Sequence, residues 1–432
     1  MVLLAETWEF DTPGWQVSSA PVRTDDRGSF RMVNVTPGTY LVAVPGSGTL
    51  TSSNEREPPV DSYPTTFYPG VAAPVGATQV SVDSGEDVSL GDVVLMEPAG
   101  GASVHGQVVG ALGSGRTEVE LVPAERSMWT DLDIRRTGVS PTGSFSFGDV
   151  PYGHYVVRAG SMVGWNNVIF AAGVTSRIPV PPTYDRQVES STTRSVWAEE
   201  DVNLEPGGGA AGTVLHLQPG LHIAGRLEFR GESPKPTSDS ILLAAIVVVP
   251  TDGHQLRLVP TANPDGTGAF LTPEIPKGTY ALRVEVPFAG WTARSVSVDG
   301  HIAADGRVDV RDSDVAGVVV TLTDQLTAID GTVRDPKDTI VQNATVLVAP
   351  ADHRLWSRFS IFPSLTRVVL TDSHGRYRCS DLLPGDYLLA ATSGTFPSQW
   401  RNPEYLEARL ATAVTVHTTA GSPVTKDLRV GG

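Results

Sequence analysis

Few residues in this 432-residue chain stand at spacings that carry out chemistry. His216 and His222 flank Pro219-Gly220 and lie six positions apart, which is not the i, i+4 spacing by which a helix presents two imidazoles to zinc. No His-Glu-x-x-His run, Gly-x-Ser-x-Gly elbow, phosphate-binding loop or dinucleotide-binding glycine pattern occurs. Asp309, Asp312 and Asp314 cluster, and this grouping reads as a solvated turn. Cys379 is the single cysteine, so the chain holds no intrachain disulfide framework. Two residues after Tyr377, on the same face of a strand, it reads as a small buried apolar side chain. No catalytic residue, metal ligand or cofactor is assigned. Trp129, Trp165, Trp291, Trp356 and Trp400 lie in or beside loops, where an exposed indole would stack on a sugar ring or anchor a partner. The competing reading has them capping the ends of domains or filling joints between them.

The elements that would position these residues are set by a sequence written four times. GSFRMVNVTPGTYLVAV begins at Gly28, GSFSFGDVPYGHYVVRA at Gly143, GAFLTPEIPKGTYALRV at Gly268 and GRYRCSDLLPGDYLLAA at Gly375. Each has an aromatic two residues after the first glycine (Phe30, Phe145, Phe270, Tyr377) and an aliphatic seven after it (Val35, Val150, Ile275, Leu382). A second glycine follows at ten (Gly38, Gly153, Gly278, Gly385) and a tyrosine at twelve (Tyr40, Tyr155, Tyr280, Tyr387). The tyrosines stand 115, 125 and 107 residues apart, too far for a solenoid repeat of about 20–50 residues and suited to whole domains. The motif reads as two strands joined by a proline–glycine turn. Its tyrosine is expected to enter the core with the hydroxyl returning to loop backbone, a corner of the kind that closes sandwich domains. The aspartates upstream, such as Asp25, Asp265 and Asp372, read as turns that feed the first strand.

The expected fold is all-β: a tandem array of four Greek-key β-sandwiches, at 1–97, 98–211, 212–325 and 326–432. Forty-four glycines and 33 prolines make about 18 % of the chain, below the roughly 25–30 % of disordered sequences and in keeping with many short strands and turns. Gly207-Gly208-Gly209 is the most linker-like stretch. A net charge of −16 excludes the clustered basic surface that nucleic acid requires. No apolar run reaches the 18 residues of a membrane span, the longest being 241–249. The second, third and fourth domains each open with a strand of pattern aliphatic-x-Gly-x-aliphatic: Val104-His105-Gly106-Gln107-Val108, Ile223-Ala224-Gly225-Arg226-Leu227 and Ile329-Asp330-Gly331-Thr332-Val333. These glycines precede the tyrosines by 49, 55 and 56 residues, which for Tyr40 falls before residue 1. The first domain is therefore expected to lack its opening strand. Residue 1 would then lie inside a longer protein, or the strand would come from another molecule. The segment around Phe30 and the run Val93-Val94-Leu95 are expected to be strands of this domain all the same.

The fourfold motif, Gly-x-aromatic to Gly-x-Tyr, resembles the carboxypeptidase regulatory-like domain, a relative of transthyretin-like and collagen-adhesin B-type domains. Tandem copies, with Phe67-Tyr68-Pro69-Gly70 and Gly290-Trp291, are similar to arrays in bacterial cell-envelope proteins of acidobacterial type. The resemblance implies seven-stranded Greek-key sandwiches, an extracellular or cell-envelope setting and no catalytic activity. The internal Lys–Asn isopeptide bond of some collagen-adhesin domains is not expected. The lysines are only Lys235, Lys277, Lys337 and Lys426, and the second domain has none. The function read from all this is a non-enzymatic structural or adhesive array, with self-association or a protein partner at the open edge of the first domain. The alternatives are a polysaccharide-binding array, or an accessory region of a larger secreted enzyme or outer-membrane receptor.

Overall fold

In the computed structural model the described residues are 1–9, 12–46, 64–74, 76–83, 85–96, 102–110, 117–124, 132, 134–161, 196–205, 210–251, 260–303, 306–356, 365–393 and 403–430. Their regular structure is almost all strand, and they fall into two compact units. One comprises Met1–Thr7 and Pro13–Gly220, the other Trp8–Thr12 and Leu221–Gly432. The first unit carries the first two copies of the motif and the second unit the last two. Gly207–Gly209 lie outside the described residues.

The fourth repeat shows how its sequence makes a sandwich. Thr327–Arg334, the opening strand, pairs antiparallel with Arg376–Leu382 on one side and parallel with Val424–Thr425 and Leu428–Arg429 on the other. The facing sheet runs Arg367–Leu370, Thr345–Pro350, Gly385–Thr392, Val414–Thr418. Side chains alternate across a strand, so Ile329, Val333, Tyr377, Cys379, Leu382 and Leu428 of one sheet meet Val346, Val348, Tyr387, Leu389 and Val416 of the other in one core. Leu347 and Ala349 point the opposite way, onto Trp356 and onto Leu406 and Leu410 of the helix Pro403–Leu410. With both faces covered, Thr345–Pro350 is buried along its whole length, which is why it reads as an uninterrupted apolar run.

The second and third repeats are built on the same plan. Their opening strands, Ala102–Val109 and Ile223–Arg230, pair antiparallel with Ser144–Val150 and Ala269–Leu271 and parallel with Ala210–His216 and Val315–Thr323. We call these opening strands central, since each lies between two neighbours.

The strand that carries the motif tyrosine keeps one register in all four repeats. Tyr40 lies between Ala5 and Val80, Tyr155 between Pro123 and Val202, Tyr280 between Pro250 and Val308, and Tyr387 between Pro350 and Val416. This register identifies Val2–Glu9 as the first repeat's second strand, the counterpart of Thr345–Pro350. The first repeat has one sheet, Thr12–Val17, Val2–Glu9, Gly38–Val44, Thr66–Phe67, with Val80–Val82 also on Gly38–Val44.

A second sheet is missing from the described residues of the first repeat. The segment around Phe30 and the run Val93-Val94-Leu95, expected to be strands, are not strands. The reason is topological. In the other repeats the counterparts of these two segments lie on opposite sides of the central strand and pair with it, and in the third repeat Val315–Thr323 pairs with Thr292–Val298 as well. Among the described residues no such strand lies beside them in the first repeat, and neither segment joins a ladder.

Candidate functional site

Among the described residues, His222, Asp309 and Asp314 each have structural hydrogen-bond partners. His222 Nδ1 is 2.7 Å from the carbonyl oxygen of Thr272, and its backbone N–H donates to Asp314 Oδ1 at 2.9 Å. Asp309 accepts from the Thr279 hydroxyl at 2.9 Å and from Arg311 at 3.3 Å, so the Asp309–Asp314 run divides among separate partners. Among the described residues no three His, Cys, Asp or Glu side chains are grouped to hold a metal ion. Cys379 is buried in the fourth core, where loss of solvation pushes its thiol up to about 12. Burial likewise raises the Tyr377 and Tyr387 hydroxyls above the ordinary phenol range.

The motif tyrosines close corners. Tyr40 donates to the Thr36 carbonyl at 2.6 Å, Tyr280 to Pro276 at 2.8 Å and Tyr387 to Leu383 at 2.6 Å, each four residues back. Tyr155 packs against the second core. Gly38, Gly153, Gly278 and Gly385 begin the four tyrosine strands. Ahead of the motif, Asp25 Oδ1 accepts the N–H of Arg27 and Ser29 at 2.9 and 2.7 Å. Asp372 accepts those of His374 and Arg376 at 2.8 and 2.9 Å.

Two candidate contact residues have packing duties instead. Trp291 is buried edge-on against Phe229, with ring centroids 5.1 Å apart. Trp356 is buried, stacks on His353 and donates its indole N–H to the Pro350 carbonyl at 2.8 Å. Neither presents a free ring face on which a sugar or partner could stack. Trp129, Trp165 and Trp400 lie outside the described residues.

The surface without a structural explanation is the open face of the first repeat. Leu3, Tyr40 and Val42 are buried at its floor, and Phe30, Met32, Val35, Tyr68, Val80, Val82 and Leu90 pack against them while remaining only half-buried. The inward positions two, four and seven residues into the motif show what is lost. Tyr377, Cys379 and Leu382 retain 3 %, 1 % and 0 % exposure, whereas Phe30, Met32 and Val35 stay half-buried. On the other flank Val94 follows Gly91 by three residues, as Val320 follows Gly317. Val94 is 67 % exposed and Val320 0 %.

The opposite face of the same sheet is covered. Val2, Leu4, Leu41, Ala43 and Phe67 form a core that takes in Leu132 from the second repeat. The sequence reading missed Leu132, and its only signal there was an aliphatic residue in a polar stretch. The first repeat thus has one face closed by a core shared with Leu132 and one covered only by half-buried segments that are not strands.

Residues 328–429 match the family model of the carboxypeptidase regulatory-like domain. No curated protein matches the chain. Similar solved structures include a streptococcal ancillary pilin, at 13 % identity and a TM-score of 0.23 over 76 % of this chain and 99 % of that one. The major pilin subunit of Bacillus cereus aligns at 11 % identity and a TM-score of 0.20, over 76 % of this chain and 98 % of its own. The minor pilin of Streptococcus agalactiae aligns at 16 % and 0.23, over 48 % and 94 %.

Proposed function

We propose that this protein is a non-enzymatic, extracellular structural or adhesive array of four β-sandwich domains, at 1–97, 98–211, 212–325 and 326–432, whose first domain takes up a strand from a partner. The observation that carries this reading is the open face. Two segments that flank a central strand elsewhere in the chain here cover a buried apolar floor without forming strands, Phe30, Met32 and Val35 staying only half-buried and Val94 exposed. An edge or groove of this kind recruits a polypeptide strand, because main-chain hydrogen bonding and apolar burial are supplied together. The titratable candidates are used for turns and cores, which supports a binding rather than a catalytic role. The family match at 328–429 and the acidic charge of −16 fit a soluble surface array.

Restoring a strand tests the reading. Fusing a copy of Thr327–Arg334 ahead of Met1, through a connection as long as residues 335–344, should protect backbone amides in 28–35 and 91–96 from hydrogen exchange. It should also raise the melting temperature of the first domain. Unchanged exchange in both segments would refute strand uptake. Antibody labelling of intact cells tests the location, and a signal seen only after lysis would overturn it.

A further inference from the structure

The three complete repeats show which strand the open face would recognise. In each, the glycine of the central strand lies directly across the ladder from the motif aromatic: Gly106 from Phe145, Gly225 from Phe270 and Gly331 from Tyr377. A Cβ at any of these glycines would come closer than 3.0 Å to that ring and to a carbonyl oxygen of the parallel neighbour, Thr213, Val318 or Lys426 respectively. The Tyr377 hydroxyl donates to the same Lys426 carbonyl at 2.6 Å, so its ring lies across the glycine. The glycine is there because the aromatic occupies the space of its side chain.

Two residues to either side of each glycine, the central strand drives an aliphatic pair into the core. Val104 and Val108, Ile223 and Leu227, and Ile329 and Val333 all have 4 % exposure or less. In the fourth repeat the residue before the glycine adds a charge pair. Asp330 stands opposite Arg378 in the ladder, with Arg378 Nη1 3.6 Å from Asp330 Oδ1. Arg378 follows the motif glycine by three residues, and Arg31 holds that place in the first repeat. Arg31 instead reaches Asp87 on the other flank, at 3.1 Å and with both side chains largely exposed.

Resting on the strand-accepting reading of the first repeat, the geometry points to a sequence-selective acceptor site. Its occupant is a strand of a separate polypeptide with the pattern aliphatic-acidic-Gly-x-aliphatic. That strand runs antiparallel to residues 28–35 and parallel to 91–96, with its glycine seated over Phe30 and its acidic residue drawing Arg31 away from Asp87. The chain's own strands of this type, Ala102–Val109, Ile223–Arg230 and Thr327–Arg334, are already built into their own sheets.

The test adds synthetic peptides to the intact 432-residue protein and follows binding by calorimetry and by hydrogen exchange in 28–35 and 91–96. A peptide with the sequence of residues 325–336 should bind saturably and protect both segments. The same peptide with the Gly331→Val change should bind about ten-fold or more weakly, since its side chain meets Phe30. With the Asp330→Lys change, binding should weaken and lose its dependence on Arg31, read against the Arg31→Ala protein. Equal binding of the glycine and valine peptides would overturn the selectivity while leaving strand uptake intact. No binding by any peptide, with the fused strand also unprotective, would overturn both. Self-assembly of the protein alone with 28–35 already protected would overturn the separate polypeptide in favour of a second copy.

Discussion

The first and fourth repeats carry the same motif with the same local backbone, and only one of them completes a sandwich. Gly28 and Gly375 both adopt left-handed φ, at 81° and 69°, and Asn34 and Asp381 share a φ of 58°. The entering aspartates accept the same two backbone N–H groups, and both tyrosine hydroxyls lie 2.6 Å from a carbonyl four residues back. Yet Arg376–Leu382 is a strand with buried inward side chains, and residues 29–35 are neither. Turns and corners form from contacts within some fifteen residues. A strand needs a neighbour, and that neighbour is remote in sequence. The comparison separates what the motif organises alone from what the central strand imposes on it.

The largest effect should come from removing the one feature the fourth repeat has and the first lacks. Gly331→Val places branched carbons against Lys426 O and the Tyr377 ring, and should destabilise the second unit by about 3 kcal/mol or more in urea unfolding. A loss below about 1 kcal/mol would mean that the central strand tolerates side chains, and would weaken the contrast. Next is a matched pair of truncations. Leu382→Ala empties a fully buried site and should cost about 2–4 kcal/mol, whereas Val35→Ala, at the same motif position but only half-buried, should cost under about 1 kcal/mol. Equal losses would show that the first repeat is as closed as the fourth.

Removing a corner hydroxyl should not distinguish the repeats. Tyr40→Phe and Tyr387→Phe each lose one hydrogen bond of the same length, and each should cost about 1 kcal/mol. A large difference between them would show that the corner depends on the second sheet after all.

Thiol chemistry sharpens the comparison at a third pair of positions. Cys379, with its pKa pushed up to about 12 from 9.0, should resist alkylation at pH 8 in the native protein. Met32, its counterpart in the first repeat, is half-exposed, so Met32→Cys in a Cys379→Ala background should label readily until a strand covers it. The buried thiol also sets a pH dependence. The unfolded chain gives up this proton near 9 and the folded chain near 12, so between those values the unfolded state binds fewer protons. Stability should therefore fall as pH rises through that window, and Cys379→Ala should remove this part of the slope. The smallest effect belongs to the exposed Arg31–Asp87 pair. Arg31→Ala should move the melting temperature by no more than about 1 °C while altering recognition of an acidic strand residue.

Much of this molecule was legible as sequence because its information is local. The motif spacing, the aspartate turns and the proline–glycine corners each act over a few residues. Alternation of apolar positions then separates strands from turns in an all-β chain. Other features were not local. Trp291 and Trp356 looked like loop aromatics, and their burial depends on Phe229 and on the helix Pro403–Leu410, neither marked by the motif. The central-strand glycines could be read as a pattern, but not as a seat for the aromatic across the ladder.

By itself, then, the sequence determined the repeat and its turns and corners, since these follow from φ preferences and hydrogen bonds between near neighbours. Only the tertiary structure decided that the motif's first segment is a strand in the second, third and fourth repeats and not in the first, where Phe30, Met32 and Val35 stay half-buried and Val94 is exposed. A sheet is held by pairs, and the central strand belongs to two of them.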